Sequence, residues 1–158
     1  MTDEWDKETA LNKAARFCAY QERSPREVQD KLATRISNPE LIAEIIHTLR
    51  DEGFIDEQRF INAFIKGKFH QKKWGRIKIR YALQRHQIDQ ELISERMDAI
   101  ISEEDYLATV LDLMQMKIRQ AGKTEPLILK RKVFQHLAGK GYDQDIIYTA
   151  WNTLGFNV

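Results

Sequence analysis

Cysteine is almost missing: Cys18 stands alone among 158 residues. One thiol excludes an internal disulfide and a cysteine-based zinc site, and it fits a reducing compartment. Long apolar runs are missing as well. The longest charge-free stretches are short, such as Phe60 to Ile65, against the roughly 18 residues that a membrane span needs. The N-terminal "MTDEWDKETA" is acidic and polar, so no secretory signal is expected there. A soluble, cytoplasmic protein without membrane attachment is expected. Sustained period-two alternation is absent, which excludes an obvious strand. No P-loop, no GxGxxG and no HExxH occurs, and His47, His70, His86 and His136 lie far apart. At 42% hydrophobic and 31% charged residues, the composition argues against long disorder and for a real core.

Helix starts are marked throughout. In "SPRE", Ser24 is placed as N-cap, Pro25 at N1 and Glu27 at N3, a capping box. Asn38 before Pro39, Asp56 in "IDEQRF", Asp89 in "IDQELI", Ser102 in "ISEEDY" and Asp143 in "YDQDII" occupy equivalent places. Stops fall at Gly53, Gly122, Gly139 or Gly141, and Gly155. The chain reads as all-α, with about nine helices.

The helices recur in threes. "VQDKL", "IRYAL" and "VFQHL" align on Leu32, Leu83 and Leu137, and nine residues after each come Leu41, Leu92 and Ile146. A period near fifty with matching caps implies tandem three-helix repeats in an elongated, curved array. We place a frayed lead-in at 1–7, repeat 1 at 8–53, a basic repeat 2 at 54–101 and repeat 3 at 102–158. No linker rich in Pro, Gly or Ser separates them, so they should abut.

The charge is nearly balanced, 25 Lys+Arg against 24 Asp+Glu, yet Gln58 to Ile88 contains no carboxylate. That stretch carries Arg59, Lys66, Lys68, Lys72, Lys73, Arg76, Lys78, Arg80 and Arg85. On a helix with 100° per residue, Ile79, Ala82, Leu83 and His86 share the core face. Ile77 and Tyr81 lie near the opposite side, edged by Arg76 and Arg80 on one flank and Lys78 and Arg85 on the other. Lys72, Lys73 and Trp74 lead in. Such a strip fits phosphates with bases stacked on Trp74 and Tyr81, or an acidic protein surface. Alternatively, Ile77 and Tyr81 pack on a neighbouring repeat and leave a solvated basic rim. A solubilising face normally mixes signs, which this one does not. A second basic cluster, Lys130, Arg131 and Lys132 with Lys117, Arg119, Lys123 and Lys140, lies in repeat 3.

Little points to catalysis. Cys18 in "RFCAYQ" reads as a small buried hydrophobe. Asp51, Glu52, Asp56 and Glu57 could hold Mg²⁺, but Asp56 and Glu57 read better as a cap and a first-turn charge. A binding protein without cofactor is expected.

Four segments carry a family resemblance. "AYQERSPREVQDKL" presents Tyr20, Ser24, Glu27, Lys31 and Leu32. "LRDEGFIDEQRFINAF" presents Gly53, Phe54, Asp56, Glu57, Arg59 and Phe60. "KWGRIKIRYALQRHQI" presents Gly75, Ile79, Leu83 and Ile88, and "VFQHLAGKGY" closes the pattern. Together they resemble the RecX family, modulators of the RecA recombinase. Departures are Ile61-Asn62 after Phe60, where Ala is usual, and Gln87, where Gly is common, so that turn needs a strained residue or a φ that stays negative. The resemblance implies tandem three-helix repeats. It also implies binding in the groove of the RecA–DNA filament across successive protomers, with inhibition of extension, ATPase and strand exchange. An alternative is a direct DNA-binding module that needs no recombinase, and a scaffold with a solvated basic face is a third reading. Like-charged faces would repel, so a monomer is expected.

Overall fold

The computed structural model describes residues 3–156. Met1, Thr2, Asn157 and Val158, at the ends of the lead-in and of repeat 3, lie outside the described residues. Within them run α1 (Lys7–Tyr20), α2 (Pro25–Ala33), α3 (Pro39–Asp51), α4 (Glu57–Lys66), α5 (Arg76–Gln84), α6 (Gln90–Ile100), α7 (Glu103–Ala121), α8 (Pro126–Gly139) and α9 (Gln144–Thr153). These are nine α-helices and no strand among the described residues, and α4 continues into a π-helical turn, Gly67–Gln71.

The local signals act as their chemistry dictates. Ser24 accepts from the Glu27 amide while the Ser24 amide donates to the Glu27 carboxylate, closing a capping box. Asp6, Asn38, Asp56, Ser102 and Asp143 each accept from a first-turn amide. Asp89 stands at the N-cap of α6 without such a bond. Gln87 takes φ +59, so the turn that glycine would ease is made by a residue in the left-handed region. The stop after α8 is Gly141, at φ +99, while Gly139 remains helical.

The aligned leucines Leu32, Leu83 and Leu137 are fully buried. Nine residues on, Leu41, Leu92 and Ile146 are only half-buried, and their neighbours Ile42, Ile93 and Ile147 point inward instead. The repeat frame is therefore real, with its second anchor one residue later than the alignment places it. Each such side chain contributes roughly 1.5–3 kcal/mol on burial.

The lead-in is not frayed over its described part. The Trp5 amide donates to the Arg35 carbonyl at 3.0 Å, Ser37 donates to Glu4 at 2.6 Å, and Asp6 caps α1. Trp5 packs on the first core beneath Lys13 and Arg35. A tryptophan ahead of the first helix covers the open end of the bundle, and its partner, thirty residues on, leaves no local signal.

The repeats do not abut equally. Helices α1–α3 enclose one buried cluster, from Ala10 to Ile55. Helices α4–α9 share a second, from Phe60 to Trp151, so repeats 2 and 3 have a common core. The aromatic run Phe69, Tyr106 and Tyr142 crosses that junction, with centroids 6.1 and 5.2 Å apart.

Candidate functional site

Helix α5 carries the basic stretch, and its beginning is unusual. The residue in Ser24's register is Gly75, which has no side chain to cap with. The orphan amides of a helix start must still be satisfied. Repeat 3 does this: Gly75 donates to the Lys140 carbonyl at 2.7 Å, Arg76 to the Tyr106 hydroxyl at 3.0 Å and Ile77 to the Gly141 carbonyl at 3.0 Å. In return the Tyr142 hydroxyl donates to the Lys73 carbonyl at 2.9 Å, and Lys140 Nζ lies 3.4 Å from the Lys72 carbonyl. Burial pushes the Tyr106 and Tyr142 phenols up, so both stay neutral hydrogen-bonding groups. Lys73 is held at φ +60, in the left-handed region.

Ile77 and Tyr81 are 54% and 65% exposed. They do not pack on a neighbouring repeat, and the Arg85 guanidinium lies 5.7 Å from the Tyr81 ring. Lys66, Lys72, Lys73, Lys78 and Arg85 are exposed. Trp74 is half-buried, with Lys68 Nζ and Lys78 Nζ at 4.7 and 4.5 Å from its ring. The π-helical turn places Lys68 over Phe64 as well, while Phe69 remains in the core. Arg131 and Lys132 are exposed on α8, whereas Lys130 lies over Phe134 and Tyr148 of its own repeat.

Two arginines are placed otherwise than their helical positions suggest. Arg76 is only 18% exposed. Its guanidinium covers the Tyr106 ring at 4.2 Å, donates to the Ile101 carbonyl at 3.1 Å and reaches Glu103 at 3.0 Å. It clamps repeat 2 to repeat 3 rather than facing outward. Arg80 is half-buried, and its Nε is buried without a hydrogen-bond partner. The partners of Arg76 lie 25 to 30 residues downstream, beyond the reach of helical spacing. Arg76→Ala should lower stability by about 1–3 kcal/mol through the lost carbonyl bond and ring contact. The ion pair adds little, because Glu103 is exposed. Chemical denaturation checks this, and an unchanged midpoint would remove Arg76 from the clamp.

The structure also joins residues that the sequence leaves apart. Lys140 reaches the Lys72 loop, and His136 lies one turn before it on α8. His136 is exposed on α8, and partial desolvation of its ring, then the ammonium groups of Lys117 and Lys140, hold the imidazole below histidine's ordinary value. A cationic track thus runs from Lys68, Lys72 and Lys73 over Lys140 to His136 and Lys117. The i,i+4 spacing of His136 and Lys140 is visible in the sequence, but their approach to Lys72 is tertiary.

Elsewhere, Cys18 is buried and burial pushes its thiol up, which keeps it protonated and inert. Asp56 is occupied as a cap, and Glu57 pairs with Arg50 at 2.8 Å.

Models of the first, second and third three-helix domains of RecX match residues 10–49, 56–97 and 103–151. The chain belongs to the RecX family. The regulatory protein RecX of Clostridium acetobutylicum is 27% identical over 149 residues, 92% of this chain and 65% of that protein. The regulatory protein RecX of Clostridium botulinum strain Alaska E43 is 32% identical over 127 residues, 79% of this chain and 58% of that protein. The chain therefore spans about 58 to 65% of these RecX relatives. The crystal structure of RecX from Lactobacillus salivarius superposes with a TM-score of 0.84 at 22% identity, covering 94% of this chain and 96% of that one. A second RecX crystal structure gives 0.83 at 18% identity, covering 92% and 73%. These likenesses establish the RecX fold of three tandem three-helix domains. Among the described residues no helix is long and apolar enough to cross a membrane.

Proposed function

We propose that this RecX-family chain is a non-enzymatic regulator that binds the RecA filament on DNA and limits its extension, ATPase and strand exchange. The supporting observation is the one-signed surface on α5 and the loop before it. Exposed Lys72, Lys73, Lys78, Tyr81 and Arg85 stand on a body made stiff by the shared core of repeats 2 and 3. A stiff body presents cations and an aromatic anchor without an ordering cost on binding. Lys66, Lys68 and Trp74 border this surface, and Arg131 and Lys132 offer a second contact on repeat 3. Contact with several protomers would add avidity. The decisive assay is recombinase ATPase turnover on single-stranded DNA, titrated with this protein. Substoichiometric inhibition supports action on the filament. Absence of inhibition alongside tight binding to bare DNA would replace this reading by a direct DNA-binding module.

The track from Lys72 to Lys117 favours contact with a phosphate backbone, and it carries a pH signature. His136 is held below its ordinary value, so between that value and the folded one the unfolded chain binds more protons. Stability is therefore lost as pH falls through the ordinary histidine value. A phosphate beside the ring offsets Lys117 and Lys140 and favours the imidazolium. DNA binding should take up a proton and tighten as pH falls from about 7.5 to about 6, and His136→Ala should flatten that dependence. Titrations in buffers of different ionisation enthalpy check it; equal proton uptake by the variant would take His136 off the track.

A further inference from the structure

The joint between repeats 1 and 2 is built differently from the one between repeats 2 and 3. The two buried clusters, one ending along the chain at Ile55 and the other beginning at Phe60, share no residue. The chain crosses between them at Ile55–Asp56, just after Gly53 at φ +81. Two polar links span the gap. Arg59 on α4 pairs with Glu22 at 2.9 Å and also donates to the Gly53 carbonyl. His86, in the turn after α5, places Nδ1 2.9 Å from Ser24 Oγ and 3.9 Å from the Glu27 carboxylate. On the α4 side the imidazole meets Phe60 at a tilt and Phe64 edge-on, with centroids at 5.0 and 5.8 Å. Cavities of about 380 and 270 Å³ flank it, so the ring is a narrow bridge between two open spaces.

We infer that repeat 1 is a hinged arm on the rigid body of repeats 2 and 3, and that His86 is a proton-sensitive latch closing it. In the neutral ring with its proton on Nε2, Nδ1 accepts from the Ser24 hydroxyl. Ser24 Oγ already accepts the Glu27 amide, which leaves one lone pair. In the protonated ring, Nδ1–H donates to that lone pair and the positive charge faces Glu27. A neutral–neutral bond becomes a charge-assisted one across the joint.

Glu27 is shared: Arg23, just ahead of α2, lies 3.8 Å from its other oxygen. From α2, Arg26 and Asp30 line the smaller cavity and pair with each other at 3.1 Å. Glu22, from the loop before α2, lines the larger cavity and is taken by Arg59. Lys68 in the π-helical turn and Lys72 just after it, with Arg85 beside the ring, oppose the charge from the cavity walls. Glu27 is the carboxylate in reach of the ring, and it sets the sense of the change.

Spin labels on the full chain at Asn12→Cys and Gln135→Cys report the arm against the body, with Cys18 buried and unlabelled. The expected result is a broad distance distribution at about pH 8 that narrows at about pH 6, with a midpoint that follows the His86 ring nitrogens by NMR. His86→Phe keeps the ring against Phe60 and Phe64 but removes the nitrogens, and should stay broad at both pH values. A wild-type width independent of pH would overturn the latch, and so would narrowing of His86→Phe. Where His86→Phe fails to fold, the wild-type comparison decides: a midpoint that departs from the His86 titration overturns it.

Discussion

Gly141→Ala should cost about 3 kcal/mol or more, a large effect for one methyl group. Two costs add. The residue holds φ +99, where an L side chain is strained by about 1–3 kcal/mol. Its Cβ would also lie 2.4 Å from Lys78 Cβ and 2.7 Å from the Lys78 amide nitrogen, so the α8–α9 turn must lift off α5. Gly75→Ala tests the same contact from the other side, at an unstrained φ of −79. Its Cβ would meet the Gly141 carbonyl group at 2.3 Å, and backbone cannot rotate aside. Both substitutions open the bonds that cap α5. For a chain of this size, the melting temperature should fall by roughly 6–12 °C. Gly139→Ala is the control, because it lies in α8 with nothing within 4 Å of its Cβ, and it should melt at or slightly above the parent. Calorimetry on the three variants decides; parent-like melting of Gly75→Ala would mean the joint is looser than its geometry.

The triple variant Lys72→Glu, Lys73→Glu, Lys140→Glu should bind single-stranded DNA roughly a hundredfold more weakly at low salt, with its log–log salt slope reduced by about 2–3. Lys72 and Lys73 are exposed and the Lys140 ammonium makes a 3.4 Å contact, while the Lys140 carbonyl that caps α5 is backbone and is kept, so the melting temperature should hold within a few degrees. Inhibition of the recombinase should fall with DNA affinity if the track meets the nucleic acid inside the filament. If DNA affinity collapses while inhibition persists, the exposed Ile77–Tyr81–Arg85 strip is the inhibitory surface. Unchanged DNA affinity would remove the track from nucleic-acid contact. Lys31→Glu, on repeat 1 beside Phe17, should leave the salt slope as it is.

What the sequence made legible follows the range of the interactions. Caps at Ser24, Asn38, Asp56, Ser102 and Asp143 act within three residues, so punctuation alone locates the helices. The fifty-residue period is likewise local information repeated three times. A helical wheel leaves the exposure of Ile77 and Tyr81 open, since it shows which residues share a face and not what covers it. Arg76 illustrates the limit. Its charge and position match its neighbours, and only the arrival of Ile101, Glu103 and Tyr106 turns it inward. The joining of Lys72 to Lys140 escaped for the same reason. Gly75 carried a signal of its own: a glycine in the capping register implies that something else supplies the cap.

That borrowed cap has a consequence for the order in which the molecule is made. Helix α5 and its lysine-rich lead are synthesised well before residues 140–142, whose carbonyls and phenol hold them. A ribosome-bound chain that ends within α7 carries the cationic segment with open amides at Gly75 and Ile77. Nucleation is the costly step for a nine-residue helix, so the segment should fray until the α8–α9 turn emerges. The nascent basic stretch is then a flexible polycation, and it acquires its shape only when the last turn of the third repeat closes over it.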